Sequence, residues 1–176
     1  MSARISLVVT FTGPDRPGIV SALSHSVASH GGNWEKSRMA RLSGRFAGIL
    51  QVSVEEAHAE ALTRELERVE GLSVRVDRDP PSELPLGEQR LHLELTGADR
   101  PGIVRDVTGA LARRGVSIVD LSTESVSAPM SGEALFKATA DLRCTSHLDL
   151  ELLRREVESR LTDDLMVDLT LVPPHG

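Results

Sequence analysis

Aromatic residues are nearly missing from this 176-residue chain, which has three phenylalanines, one tryptophan and no tyrosine. Phe11, Trp34, Phe46 and Phe136 are scattered, so they cannot form a platform for stacking nucleic-acid bases. Basic excess is missing too: the formal net charge is −6, the wrong sign for a free-standing nucleic-acid binder. Cysteine is reduced to Cys144, which rules out an internal disulfide and suits a reducing compartment. No apolar run approaches the roughly 18 residues of a membrane span, and no charged-then-apolar leader opens the sequence. These shortages predict a cytoplasmic protein with no membrane and no direct nucleic-acid partner.

Catalytic and metal-binding machinery is equally scarce. There is no serine nucleophile elbow and no phosphate-cradling loop. His25 and His30 are five apart on a predicted helix and do not share a face. The other histidines are isolated, so no spacing suggests zinc. Asp163, Asp164 and Asp168 read as a solvated edge, and Cys144 as a small buried apolar residue. The expectation is no enzyme activity, no metal and no cofactor. With 40% hydrophobic and 26% charged residues, the chain is otherwise an ordinary globular one.

What the chain does have is a repeat. Thr12-Gly13-Pro14-Asp15-Arg16-Pro17-Gly18-Ile19-Val20 returns 84 positions later as Thr96-Gly97-Ala98-Asp99-Arg100-Pro101-Gly102-Ile103-Val104, and only Pro14 and Ala98 differ. A repeat at this period means two copies of one small domain. Alternating Leu7, Val9 and Phe11, matched by Leu91, Leu93 and Leu95, predict a half-buried strand before each turn. Ile19, Leu23 and Val27, with Val20 and Ala28 beside them, predict a helix after the first turn. Ile103, Val107 and Leu111, with Val104 and Ala112, do the same in the second copy. Gly31 and Gly115 stop these helices.

Two strands then follow in each half, about Asn33 to Leu42 and Arg45 to Val54, turning at Ser43-Gly44, and about Ser117 to Val126 and Ala134 to Cys144. A second helix carries Ala57, Ala61, Leu62, Leu66 and Val69 in one half, and Leu150, Leu153, Val157 and Leu161 in the other. Last strands run Leu72 to Val76 and Leu165 to Val172. The predicted fold is α+β: two ferredoxin-like βαββαβ domains, each a four-stranded antiparallel sheet with two helices on one face. Their expected bounds are 1–79 and 89–174, joined by a proline-rich spacer over 80–88. Such small cores and exposed sheet edges predict a homodimer.

The repeated turn holds the candidate site. Asp15 or Arg16 is placed at the helix cap and Pro17 at the first helical position, where its missing N–H costs nothing. Gly18 lets a ligand or another backbone approach, and the N–H groups near Gly18 and Ile19 are expected to point out of the helix start. A carboxylate there gains about 1 kcal/mol from the helix dipole. Asp15 could take an ammonium group and Arg16 a carboxylate, or Asp15 could simply cap its own helix. Asp99, Arg100, Gly102 and Ile103 repeat the arrangement. Asn33 and Ser37, four apart on a strand, are predicted to point to the same side, either toward a small polar ligand or as part of a solvated or dimer-facing surface. Ser117 is their weaker counterpart.

An Asp-Arg-Pro-Gly-Ile-Val turn opening a βαββαβ domain resembles the ACT domain. Two in tandem resemble the glycine cleavage system transcriptional repressor family, and the stretch Asn33-Trp34-Glu35-Lys36-Ser37-Arg38 resembles that family's second strand. The resemblance implies a regulator that binds a small amino acid or related metabolite, plausibly glycine, at an interface between paired domains. It also implies action through a DNA-binding regulator protein rather than on DNA itself. Trp34 stands where the family has an aliphatic residue, and Ser117 where the first copy has Asn33. The competing reading is a ligand-free tandem interaction module.

Overall fold

The computed structural model describes residues 3–78, 88–127, 134–145, 147–159 and 166–172. Residues 80–87 of the predicted 80–88 spacer, the hairpin tip at Pro129, Ser131 and Gly132, and Leu161, Asp163, Asp164 and Leu165 lie outside them, while Glu88 is already in a strand. The chain divides into two compact units, Met1–Glu83 and Leu84–Gly176. The first unit runs β1 (Arg4–Pro14), α1 (Ile19–Ser29), β2 (Asn33–Leu42), β3 (Arg45–Glu55), α2 (Glu56–Leu66) and β4 (Ser73–Arg78). The second runs β5 (Glu88–Ala98), α3 (Ile103–Arg113), β6 (Ser117–Ser127), β7 (Ala134–Thr145), α4 (Leu150–Ser159) and β8 (Met166–Val172). Strand order is β2-β3-β1-β4 in one sheet and β6-β7-β5-β8 in the other, with every pairing antiparallel. This is the ferredoxin-like βαββαβ fold, twice.

Period-2 alternation decides which face of each sheet is buried. Leu7, Val9 and Phe11 on β1 and Leu50, Val52 and Val54 on β3 turn to the helices, as do Leu91, Leu93 and Leu95 on β5. Cys144 continues the inward register of β7 and is buried. Ile19, Leu23 and Val27 press α1 onto the first sheet, and Ile103, Val107 and Leu111 press α3 onto the second. Burying a leucine-sized side chain in this way is worth about 1.5–3 kcal/mol. Three helical stripes differ from the predicted ones at their flanks: Val20 on α1 and Val104 and Ala112 on α3 are exposed. On α2 the buried positions are Ala59, Leu62 and Leu66, while Ala57 is exposed and Val69 lies beyond the helix. On α1, Ser26 is buried and Ala28 exposed. Ser26 takes the place of Ala110 in the second copy, so a residue that reads as polar fills a core slot.

Both first helices end in the same device. Gly31 and Gly115 sit at φ 67° and 68°. Gly32 N–H then donates to the Val27 carbonyl and Gly31 N–H to Ala28, while Val116 and Gly115 do the same to Leu111 and Ala112. That double bond pattern is the Schellman motif, which needs a residue tolerant of positive φ, hence glycine. Ser43 (φ 48°) and Gly44 (φ 76°) form the two-residue hairpin between β2 and β3, with both residues at positive φ as a tight hairpin requires.

Candidate functional site: the two helix-entry elbows

Each repeated Asp-Arg-Pro-Gly segment leaves the end of a strand and enters a helix through a type II turn. Proline supplies the second position of that turn, and glycine the third at positive φ. Gly18 has φ 90° and ψ −2°, and Gly102 has φ 85° and ψ 1°. In the second copy the Ile103 N–H reaches back to the Arg100 carbonyl at 3.4 Å and closes the turn. The glycines themselves are the N-caps, and their carbonyls accept the first helical bonds, from Ala22 at 2.9 Å and Asp106 at 3.0 Å. This corrects the sequence-based placement: neither Asp15 nor Arg16 caps α1, and Pro17 lies in the turn ahead of the helix. The turn geometry requires Pro-Gly before the helix, so the helix starts two residues later, at Ile19.

Asp15 does not cap its own helix either. Its carboxylate pairs with Arg41 at the end of β2, 2.5 Å away, and its N–H donates to the Gly44 carbonyl at 2.9 Å. Arg16 donates to the Glu70 carbonyl in the turn between α2 and β4. That turn is held close because Gly13 has no side chain: a Cβ there would come within 2.4 Å of the Gly71 carbonyl oxygen. Over Gly18, by contrast, a Cβ would meet nothing within 4 Å. The space where a Gly18 side chain would stand is thus open, flanked by one acid and one base that already have partners.

The second elbow is built from the same residues and closed differently. Asp99 accepts from the Ser125 hydroxyl at 2.7 Å, and its N–H donates to the Ala134 carbonyl. Ser125 follows Arg41 by the same 84 positions that separate the repeats, so both aspartates look to the same place on the edge strand. Arg100 turns inward to Asp106 in the first turn of α3 at 2.8 Å, and Arg105 grips the other carboxylate oxygen at 2.9 and 3.0 Å. The hydrogen bond from Arg100, and then the one from Arg105, hold the Asp106 carboxyl below its ordinary pKa. A Cβ on Gly102 would sit 3.1 Å from the Arg105 guanidinium. Position 22 of the first copy is alanine where the second has Asp106, so α1 offers Arg16 no acid and Arg16 reaches across to Glu70 instead.

Asn33 and Ser37 are not brought to the elbow. β2 carries a bulge between Trp34 and Lys36. Asn33 pairs with Ser53 and Ser37 with Leu50, three apart on a regular strand, so the two side chains leave opposite faces of the sheet. The extra residue shifts the alternation that placed them together. Through β3, Asn33 lies level with Ser6 and the elbow with Pro14, eight residues along β1 and so roughly 26 Å away. Ser37 lies level with Val9, roughly 16 Å from that end. An equivalent bulge lies between Ile118 and Asp120, and Ser117, the first residue of β6, lies level with Arg90 at the far end of β5 from the second elbow. The partners that sequence reading missed are Arg41, Glu70, Asp106 and Ser125. The 84-residue offset linking Arg41 to Ser125 was the available signal. Among the described residues no group of three His, Cys, Asp or Glu could hold a metal, and no helix is long and apolar enough to cross a membrane.

Comparison with known proteins agrees with this geometry. Residues 6–77 match one ACT-domain profile and residues 92–160 match another. The glycine cleavage system transcriptional repressor of Escherichia coli (strain K12) is 43% identical over 53 residues, which is 30% of this chain and 28% of that protein. The match therefore spans less than a third of the curated relative's length. The crystal structure of an unknown protein from Galdieria sulphuraria is 32% identical, with a TM-score of 0.82, over 97% of this chain and 99% of that one. That of a proposed glycine cleavage system transcriptional repressor superposes with a TM-score of 0.67 at 23% identity, over 97% and 99%, a likeness of fold. Two elbows on two βαββαβ units, each matched by its own profile, place the chain in the ACT-domain family as a tandem ACT-domain protein resembling the glycine cleavage system transcriptional repressors.

Proposed function

We propose that this protein is a non-catalytic regulator that binds a small amino acid or a related metabolite and passes its occupancy to a partner protein, in the transcriptional control of amino-acid or glycine metabolism. The observation that carries the reading is the first elbow, where a left-handed glycine opens α1 and the space its side chain would fill is empty. A ligand carboxylate accepts from the Gly18 and Ile19 N–H groups at the positive end of the helix dipole. Arg16 adds a charge-assisted bond once it leaves the Glu70 carbonyl, and Asp15 is within one turn for the ammonium group. Occupancy therefore competes with the tie between the elbow and the α2–β4 turn. That competition is a differential interaction with two states, which a population shift requires. The 53-residue match to the repressor of Escherichia coli supports the regulatory role, and a DNA-binding regulator protein is the partner class.

The test is titration calorimetry of the full chain against glycine and the other small amino acids, with Gly18→Asn as control. Saturable heat that the variant loses is the expected result, and no heat from any of them with well-folded protein overturns the reading. A second reading is a ligand-free interaction module. It is favoured by the intradomain partners of Asp15, Arg16, Asp99 and Arg100. It wins if Gly18→Asn leaves partner binding and its metabolite response untouched.

A further inference from the structure

An apolar cleft enters the second unit between α3 and the edge strand β6. Val104 and Thr108 of α3 face Ile118, Leu121 and Thr123 of β6 across it, and Ala140 of β7 lies at its floor. Val104, Ile118 and Leu121 are 40%, 38% and 42% exposed, so the cleft reaches the surface through an apolar mouth. No charged residue lines it, and the Thr108 hydroxyl is turned to the Val104 carbonyl at 2.8 Å, so the walls present carbon. About 20 Å³ at its centre is free, a little more than one water occupies. A water also needs several polar partners, which this gap does not offer, so the gap suits hydrocarbon.

The duplication shows what the gap lacks. Strand register sets Trp34 of the first unit against Ile118 of the second, and Met39 against Thr123. It likewise sets Phe11 against Leu95 and Leu50 against Ala140. In the first unit Trp34 and Met39 pack against the core, and Phe11 and Leu50 are buried in it. Each exchange removes side-chain carbon from the same flank of the sheet. Exchanges in the other sense, Leu121 against Ser37 and Ala138 against Gly48, return only part of it. The second unit keeps the frame with less filling.

From this deficit we propose that the α3–β6 cleft binds a small molecule with a short branched aliphatic end, which supplies the carbon that Trp34, Met39 and Leu50 supply in the first unit. The site belongs to the second unit, whereas Gly18 belongs to the first, and it does not rest on ligand binding at the Gly18 elbow. One methyl group of the guest enters the gap over Ala140. The carbons next to it lie across the mouth between Val104, Ile118 and Leu121. Binding is driven by removal of this hydrocarbon and of the mouth from water, so the polar end of the guest stays in solvent. With no charge in the lining, the affinity is indifferent to salt.

Methyl NMR of the full chain, titrated with 3-methyl-1-butanol and with glycerol as the polar control, tests this. The expected result is saturable shifts at the Val104, Ile118 and Leu121 methyls, at about 1–10 mM alcohol, unchanged by salt and absent with glycerol. The Leu7 and Val52 methyls of the first unit are expected to stay in place. Ala140→Leu with Thr123→Met installs the first unit's residues. It is expected to weaken binding at least about tenfold and to raise the melting temperature by filling the gap. Ile118→Trp, at the exposed mouth, is a second block that spares the buried core. Gly18→Asn is expected to bind the alcohol as the wild type does, which separates this site from the first elbow. No saturable shift with well-folded protein, equal shifts in both units, or shifts that persist in both blocking variants overturns the proposal.

Discussion

Replacing Gly18 separates the two tasks that the first elbow combines. At φ 90° an alanine pays for the left-handed backbone, about 1–2 kcal/mol. It recovers about 0.4–1 kcal/mol because its unfolded chain is less free than glycine's. No steric charge is added, since nothing lies within 4 Å of the new Cβ. The net loss for Gly18→Ala is about 1 kcal/mol, which for a domain of this size lowers the melting temperature by about 4–8 °C. Asparagine enters the left-handed region far more readily, so Gly18→Asn keeps most of the stability while its side chain fills the open space over the amides. Calorimetric unfolding read beside ligand titration tests both halves. The expected pattern is Ala less stable than Asn, with ligand heat lost in Asn despite its near-native melting. Gly102→Ala is expected to cost a similar amount, because the Arg105 guanidinium at 3.1 Å ends a flexible side chain and swings aside. If Gly18→Ala melts with the wild type, or Asn melts below Ala, the turn is not holding the strained conformation described and the reasoning fails.

Other perturbations follow from the same geometry. Gly48→Ala places a methyl 2.7 Å from Met39 Cγ and 2.8 Å from the Phe11 ring, an overpacking that costs about 1–3 kcal/mol. Urea unfolding should show the loss and show it relieved by Phe11→Leu with Met39→Thr, since Ala138 already pairs with Leu95 and Thr123 in the second sheet. The hydrogen bond to Asp141, reinforced by Glu94, raises His92 above its ordinary value. A raised histidine stabilises fully below the unfolded value near 6.5 and loses that contribution as pH climbs through its folded value. Denaturant midpoints should therefore drift downward above roughly pH 6.5 in the wild type, and His92→Gln should flatten the drift. Asp106→Ala removes the carboxylate that Arg100 and Arg105 share at the second elbow. Ligand stoichiometry by calorimetry is expected to rise from one toward two per chain, and an unchanged stoichiometry refutes the idea that Asp106 closes that elbow.

The repeat, the strand alternation and the helix-ending glycines were all legible in the sequence, because each is a local rule with its residues close together. Gly31 and Gly115 announce a positive-φ C-terminus, and Ser43-Gly44 announces a two-residue hairpin. The first-helix stripe of Ile19, Leu23 and Val27 was also plain. The stripe of α2 was less so: alanines at 57, 59 and 61 give no contrast by which to choose a face, and packing chose Ala59.

What the sequence concealed at the site is long-range. The bulge at Glu35 has no residue signature, yet it moves Ser37 to the other face and separates it from Asn33. Asp15 finds Arg41 only because β2 and β1 run parallel on either side of β3, 26 positions apart in sequence but level in space. Arg16 finds Glu70 only because Gly13 admits the Gly71 backbone. Pairings of this kind are properties of the closed sheet rather than of any window of sequence.

The two elbows show how a duplicated motif diverges while its own residues stay fixed. Asp-Arg-Pro-Gly-Ile-Val is identical in both copies, so any functional difference must come from residues around it. A single neighbour, alanine at 22 against aspartate at 106, sends Arg16 across to the α2–β4 turn and folds Arg100 back onto its own helix. The same aspartate holds Arg105 over Gly102, whereas Gly18 is left bare. Keeping the backbone device while varying its surroundings leaves Gly18 uncovered and Gly102 under the Arg105 guanidinium. That difference follows from side chains one and two residues outside the shared motif, which is why the motif alone gives no indication of it.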